Sequence, residues 1–203
     1  MSTSRWTKQG RGLPPQPKLL HARATLLVGP GGILRVVMVA DTHGNPHPKS
    51  HTLIAAQHPD HILHAGDIGD LAVLDGLAKL APVSAVRGNI DGRTPGLPDA
   101  MTLDVRDGDG SLVTILLVHI AVNGPKLRAD VARLAAVEKA SLVVCGHSHV
   151  PFVGQDKGIT VVNPGSIGPR RFQLPIVFGV MTIRREGITI HHVSSETGAR
   201  WAP

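Results

Sequence analysis

Runs of β-branched and apolar residues recur along the chain, and five of them stop at a residue able to bind a metal ion. Val36 to Ala40 stops at Asp41-Thr42-His43, His61 to Ala65 at Gly66-Asp67, and Val83 to Arg87 at Gly88-Asn89. Val113 to Val118 stops at His119, and Leu142 to Cys145 at Gly146-His147-Ser148-His149. Such short runs predict buried strands. Between the first three lie two helical patterns, Pro48 to Gln57 and Asp70 to Leu80, the second with apolar residues at 71, 74, 77 and 80. This βαβαβ order predicts a parallel sheet with right-handed crossovers.

Further on, Met101 to Val105 and Leu112 to Val118 flank Asp107-Gly108-Asp109-Gly110, a hairpin signal. Leu127, Val131, Leu134 and Val137 recur at helical spacing and predict a third helix over Pro125 to Lys139. The C-terminal third consists of short strands, Leu142 to Val144, Phe152 to Val153, Thr160 to Val162, Val177 to Ile183 and Ile188 to Val193. They suggest a second, mostly antiparallel sheet. Two sheets face to face with helices outside make a four-layer α/β/β/α sandwich. Residues 1–33 lack sustained periodicity and read as a flexible extension, with folding beginning near Ile33 to Arg35.

Charge sharpens that boundary. The formal net charge is +6, but Arg5, Lys8, Arg11, Lys18 and Arg23 stand in residues 1–33 without an acid. The remaining 16 basic and 15 acidic residues nearly cancel, so the body carries no nucleic-acid signature by composition. With no Tyr, three Phe and two Trp, it also offers little for base stacking. A targeting peptide would share the basic composition of the extension, although a solvated tail requires fewer assumptions. Cys145 is the single cysteine, which excludes an intrachain disulfide and favours a reducing, cytoplasmic compartment. Its place in an apolar run marks it as a buried small hydrophobe. No apolar stretch reaches the roughly 18 to 20 residues of a membrane span.

If the five runs share a sheet edge, Asp41, His43, Asp67, Asn89, His119, His147 and His149 converge on one cleft. An extended chain past Ala40 would project Asp41 and His43 to the same side, and the same holds for His147 and His149. Gly66 allows close approach to the backbone beside Asp67, whose two oxygens can bridge two ions. Four imidazoles, a carboxamide and two carboxylates disfavour magnesium alone and suit manganese, iron, zinc or nickel. Two aspartates against two divalent cations leave positive charge for an anionic phosphate and for hydroxide, since metal coordination lowers the pKa of water to roughly 7. His47, His51, His58, His61, His191 and His192 read as ordinary loop or core residues.

These strings together resemble the calcineurin-like metallophosphoesterases, in particular their small bacterial and archaeal phosphodiesterase branch. The resemblance rests on Val39-Ala40-Asp41-Thr42-His43-Gly44, His64-Ala65-Gly66-Asp67-Ile68-Gly69, Val86-Arg87-Gly88-Asn89-Ile90-Asp91, Leu117-Val118-His119, Gly146-His147-Ser148-His149 and Asn163-Pro164-Gly165-Ser166. It spans about residues 34 to 193 and makes 34–203 the metallophosphoesterase domain. The fold it implies is the same sandwich, built from two mixed sheets. It also implies two divalent ions, with manganese favoured. Asp41, His43, Asp67 and His149 would surround one, and Asp67, Asn89, His119 and His147 the other. Asp67 would be the shared ligand, and a bridging hydroxide would attack a small phosphodiester in line.

Asn89 and Arg87 would steady phosphate oxygens. Where many relatives carry a histidine after Gly-Asn, this chain has Ile90, which can neither stabilise charge nor protonate a leaving group. Asp91 is the nearby candidate to replace that acid. The readings that compete with a phosphodiesterase are a nuclease or cyclic-nucleotide phosphodiesterase, or a weakly catalytic scaffold resembling the retromer subunit that uses this sandwich for protein contacts. A homo-oligomer is compatible with each.

Overall fold

The computed structural model describes residues 19–202. Chain order runs β1 (His21–Leu27), β2 (Ile33–Val39), α1 (Ser50–Ala55), β3 (His61–His64), α2 (Ala72–Ala78) and β4 (Val83–Ala85). It continues through β5 (Ala100–Asp107), β6 (Gly110–Val118), β7 (Val122–Asn123), β8 (Lys126–Leu127), α3 (Ala129–Glu138) and β9 (Leu142–Val144). β10 (Phe152–Asp156), β11 (Ile159–Asn163), β12 (Val177–Arg184), β13 (Gly187–Ser194) and β14 (Arg200–Trp201) complete it. One six-stranded sheet has the order β1-β5-β6-β9-β11-β10, and the other β14-β13-β12-β2-β3-β4.

Three groups of buried side chains define the layers. Alternate residues of β2 (Leu34, Val36, Met38) meet alternate residues of β6 (Val113, Ile115, Leu117) and β12 (Met181, Ile183) between the sheets. The opposite faces are covered by helices. Val131 and Ala135 of α3 pack on Leu116, Val143 and Val161 of the first sheet. Ile54 of α1 and Leu77 of α2 pack on Val37, Ile62 and Phe178 of the second. The result is the α/β/β/α sandwich, in which each central strand buries both faces and so reads as a continuous apolar run. Truncating a fully buried side chain such as Leu117 or Met181 to Ala would cost about 2–5 kcal/mol.

Three expectations are corrected. β1 belongs to the fold: it pairs in parallel with all of His21–Leu27 against Ala100–Arg106 of β5, and Leu26 enters the inter-sheet core. Arg23, counted with the basic extension, donates to both carboxylate oxygens of Glu138 at the end of α3. The boundary at residue 33 therefore falls inside the folded unit, while residues 1–18 of the expected extension lie outside the described residues. Next, the C-terminal strands do not form a sheet of their own. β9 to β11 join the hairpin β5–β6, and β12 to β14 extend the β2–β3–β4 sheet, so both sheets are mixed. Finally, α3 starts at Ala129, because Gly124-Pro125 closes the β7–β8 ribbon and Leu127 is buried from a strand. Val137, expected on the apolar face of that helix, is 74% exposed.

Candidate metal centre

β2, β3 and β4 run parallel, and so do β6 and β9, which puts all five donor-bearing loops at one end of the sandwich. Backbone hydrogen bonds stitch these loops together beyond the strand ends. Asp41 N–H donates to the Gly66 carbonyl, His43 N–H to the Asp67 carbonyl, and Gly146 N–H to the His119 carbonyl. The donors do not continue the extended backbone. Asp41, His43, Asp67, His147 and His149 have φ of 54°, 48°, 54°, 69° and 59°, all in the left-handed region. Asp41 and His43 therefore converge through tight turns and not through strand alternation, which corrects the expectation. Such conformations cost of order 1–3 kcal/mol each in non-glycine residues and persist where surrounding contacts enforce them.

Two positions need glycine. A Cβ on Gly88 would overlap the Asp67 carboxylate, and one on Gly66, at φ +90°, would lie 2.8 Å from His119 Nδ1. Asn163, Ser166 and His64 fasten the loops from below. Asn163 Nδ2 donates to the Gly146 carbonyl at 2.8 Å and the Ser166 hydroxyl to the Asp41 carbonyl at 2.9 Å. His64 Nδ1 accepts the Gly66 N–H, so its Nε2–H donates to Thr42 Oγ1, whose hydroxyl donates to the Ile68 carbonyl. Burial lowers the His64 pKa to about 4, which keeps this relay neutral.

The side chains form two groups, Asp41 with His43 and His149, and Asp67 with His119 and His147. In the first, His43 Nε2 lies 3.3 Å from His149 Nε2, which is 3.6 Å from Asp41 Oδ1. In the second, Asn89 Oδ1 lies 3.0 Å from His119 Nε2 and 2.9 Å from His147 Nδ1. Asp67 faces both: Oδ1 is 3.2 Å from His119 Nε2, and Oδ2 is 3.9 Å from His43 Nε2. All seven expected donors thus meet in one place. The six other histidines set apart from the sequence are in neither group.

This arrangement fits divalent cations. Asp41 Oδ2 and His149 Nδ1 are buried without a hydrogen-bond partner. Burial, reinforced by the Asp67 charge, pushes the Asp41 pKa up to about 7 against the pull of His119 and the His147 N–H. Burial and the nearby Arg171 charge hold His43 and His149 low, the latter at about 4. Burial likewise lowers His147. These imidazoles offer lone pairs at neutral pH. His119 Nδ1 donates to the Ala65 carbonyl at 2.7 Å, which directs Nε2 at the Asp67 and Asn89 oxygens. Burial alone would lower the His119 pKa, but Asp67 and that carbonyl raise it. Burial alone would raise Asp67, yet its bond and charge pairing with His119 and the Ile90 N–H bring it down to about 2. His119 Nε2 thus stands between the Asp67 and Asn89 oxygens, where a cation would be held.

Arg87 and Asp91 do not take the roles expected of them. The Arg87 guanidinium is paired with the Asp99 carboxylate and reaches the Asp91 carbonyl at 3.5 Å. The Asp91 carboxylate accepts the backbone N–H groups of Ile68, Gly69 and Gly88. It staples two donor loops together instead of presenting a proton to the cleft. Ile90 is 49% exposed beside Asn89. On this side a cavity of about 450 Å³ opens against Asn89 and His119, walled by Leu19, Ile120, Val131 and Leu134. Sequence reading missed Arg171, a guanidinium N–H of which lies 3.2 Å from His43 Nε2. Nothing in the local sequence separates it from Arg170, which instead pairs with Glu196.

Comparison with known proteins agrees with this geometry. Residues 34–186 match the model of the calcineurin-like phosphoesterase superfamily domain. The chain is 31% identical over 170 residues to a probable metallophosphoesterase of Methanocaldococcus jannaschii, covering 79% of this chain and 81% of that one. Among solved structures it resembles Yfce, a phosphoesterase from E. coli (TM-score 0.57, 18% identity, 83% of this chain and 97% of that one). It also resembles wild-type Vps29 of Entamoeba histolytica in complex with zinc (TM-score 0.64, 20% identity, 83% and 96%). These two likenesses concern the fold. With the matched segment spanning the donor loops after β2, β3, β4, β6 and β9, the chain belongs to the calcineurin-like phosphoesterase superfamily.

Proposed function

We propose that the protein is a divalent-metal-dependent phosphodiesterase with a dinuclear centre. Asp41, His43, Asp67 and His149 hold one ion; Asp67, Asn89, His119 and His147 hold the other. The observation that carries this reading is Asp67, whose two carboxylate oxygens face the two donor groups. Manganese is the favoured metal, with nickel, iron or zinc as alternatives, because imidazole and carboxamide donors accompany the carboxylates. When bound, two such ions neutralise phosphate charge and make a coordinated water acidic enough to ionise near neutral pH.

The chain itself contributes orientation. The Ala65 carbonyl fixes the His119 ring, and Asn163 and Ser166 hold the loops of Asp41 and His147. The Asn89 amide is the group proposed to steady a phosphate oxygen. It contributes no general acid at position 90, and Asp91 is engaged by three amides. Hydrolysis therefore depends on leaving groups that depart without a proton, such as nitrophenolates. The substrate is a small phosphodiester, and the compartment proposed is the cytoplasm. Among the described residues no helix is long and apolar enough to cross a membrane.

A scaffold on the same fold is the second reading, favoured by the likeness to Vps29. The seven donors argue against it, since protein contacts need no complete donor set. Hydrolysis of bis(p-nitrophenyl) phosphate by metal-free protein titrated with Mn²⁺ decides between them. Metal-dependent turnover supports the enzyme; none with any of Mn²⁺, Ni²⁺, Fe²⁺ or Zn²⁺ leaves the scaffold.

A further inference from the structure

The segment after β11 carries two adjacent arginines with different surroundings. Arg170 is spoken for: its guanidinium bonds the Leu174 carbonyl and the Glu196 carboxylate. Around the rest of the cleft, Arg87 is paired with Asp99 and Arg128 with Asp130. Arg171 pairs with no carboxylate among the described residues, and its guanidinium donates to His43 Nε2 at 3.2 Å. An unpaired cation over a cluster built to hold cations is electrostatically unfavourable unless an anion is shared between them. His43 also cannot give one lone pair to Arg171 and to a metal ion. Once His43 is a ligand, Arg171 needs another acceptor within reach.

We infer that Arg171 is a substrate-binding residue whose guanidinium receives the non-bridging oxygens of the phosphate on the His43 side of the centre. The planar fork of guanidinium donors matches two phosphate oxygens, which an ammonium cannot reproduce. On the opposite side, the cavity beside Asn89 is apolar and its arginines are neutralised, so the charged end of the substrate lies toward Arg171 and an uncharged ester group toward Ile90. This assignment rests on the phosphodiesterase reading for its substrate, but the anion site can be tested without turnover.

The test titrates inorganic phosphate into Mn²⁺-loaded protein by calorimetry, for wild type, Arg171→Ala, Arg171→Lys and Arg170→Ala. Metal content of each variant is measured in parallel. Loss of a charge-assisted contact to phosphate weakens binding by roughly tenfold to a hundredfold. Arg171→Ala should show that loss with wild-type metal content, Arg171→Lys should recover part of it, and Arg170→Ala should bind like wild type. With bis(p-nitrophenyl) phosphate, Arg171→Ala should show a raised KM with a smaller change in kcat. Phosphate affinity within twofold of wild type in Arg171→Ala overturns the assignment. So does an equal loss in Arg170→Ala, which marks general electrostatics, or a loss of metal in Arg171→Ala. Absent diester turnover in the wild type counts against the phosphodiesterase reading alone, since the phosphate titration still decides the role of Arg171.

Discussion

The two donor groups differ in how well they satisfy one another. Asp67, Asn89, His119 and His147 are joined by hydrogen bonds, with a lowered carboxylate beside a raised imidazole. Asp41, His43 and His149 share only the ring-to-ring bond between the two histidines: a carboxylate oxygen and a ring nitrogen are orphaned, and burial pushes the Asp41 pKa up to about 7. The first arrangement is satisfied internally; the second leaves buried polar atoms without partners. A cation in the Asp41 group would meet a carboxylate oxygen that has no other partner, whereas one in the His119 group would compete with the hydrogen bonds that join its members.

That contrast can be broken most forcefully at the shared ligand. Asp67→Asn should reduce metal-dependent hydrolysis of bis(p-nitrophenyl) phosphate by at least about a hundredfold, since loss of a ligand exceeds the 10- to 100-fold cost of disturbing its outer support. Steady-state assays at saturating Mn²⁺ check this, and activity within tenfold of wild type removes the dinuclear account. Next in size, Ile90→His should raise kcat on diesters with alkyl leaving groups by roughly a hundredfold, the scale of general acid catalysis. The same change should leave nitrophenyl esters nearly unaffected. An equal gain on both classes would show that position 90 acts by something other than proton donation.

The smallest effect concerns stability without metal. Asp41 has a folded pKa raised to about 7 from 3.8, so its protonated form is favoured in the native state. The stability this group lends is complete below pH about 4 and is lost as pH rises through about 7. Three units are worth up to about 4 kcal/mol. His64 and His149, lowered to about 4, work in the opposite direction, lending stability above pH about 6.5 that is lost as pH falls toward 4. The difference between variants isolates Asp41. In chelator-treated protein, Asp41→Asn should be more stable than wild type at pH 8 and lose that advantage toward pH 4, read from denaturant melts. A constant difference across pH would mean that Asp41 is not held in deficit. For the same reason Mn²⁺ affinity should fall as pH drops below about 7, as Asp41 and then His43, His147 and His149 take up protons.

The donors and the layers were legible in the sequence because buried parallel strands are continuous apolar runs, and each such run ends at the residue it delivers. The left-handed turns at Asp41, His43, Asp67, His147 and His149 were not, since Asp and His favour that region only weakly and most of them still adopt other backbone conformations. They are enforced by tertiary hydrogen bonds such as His43 N–H to the Asp67 carbonyl. β1 escaped notice because it is an edge strand of mostly exposed residues, paired to β5 far along the chain. Arg171 escaped because only the fold separates it from Arg170. Asp91 was misread for a related cause: a carboxylate next to Gly88-Asn89-Ile90 suits catalysis on paper, but three backbone amides claim it.

The central claim, that Asp67 is shared by two cations, is tested most directly by calorimetric titration of chelator-treated protein with Mn²⁺ at pH 8. Wild type should bind two ions per chain in distinguishable steps, and Asp67→Asn should lose at least one of them. A single ion per chain in wild type, or two ions bound unchanged by Asp67→Asn, would contradict it.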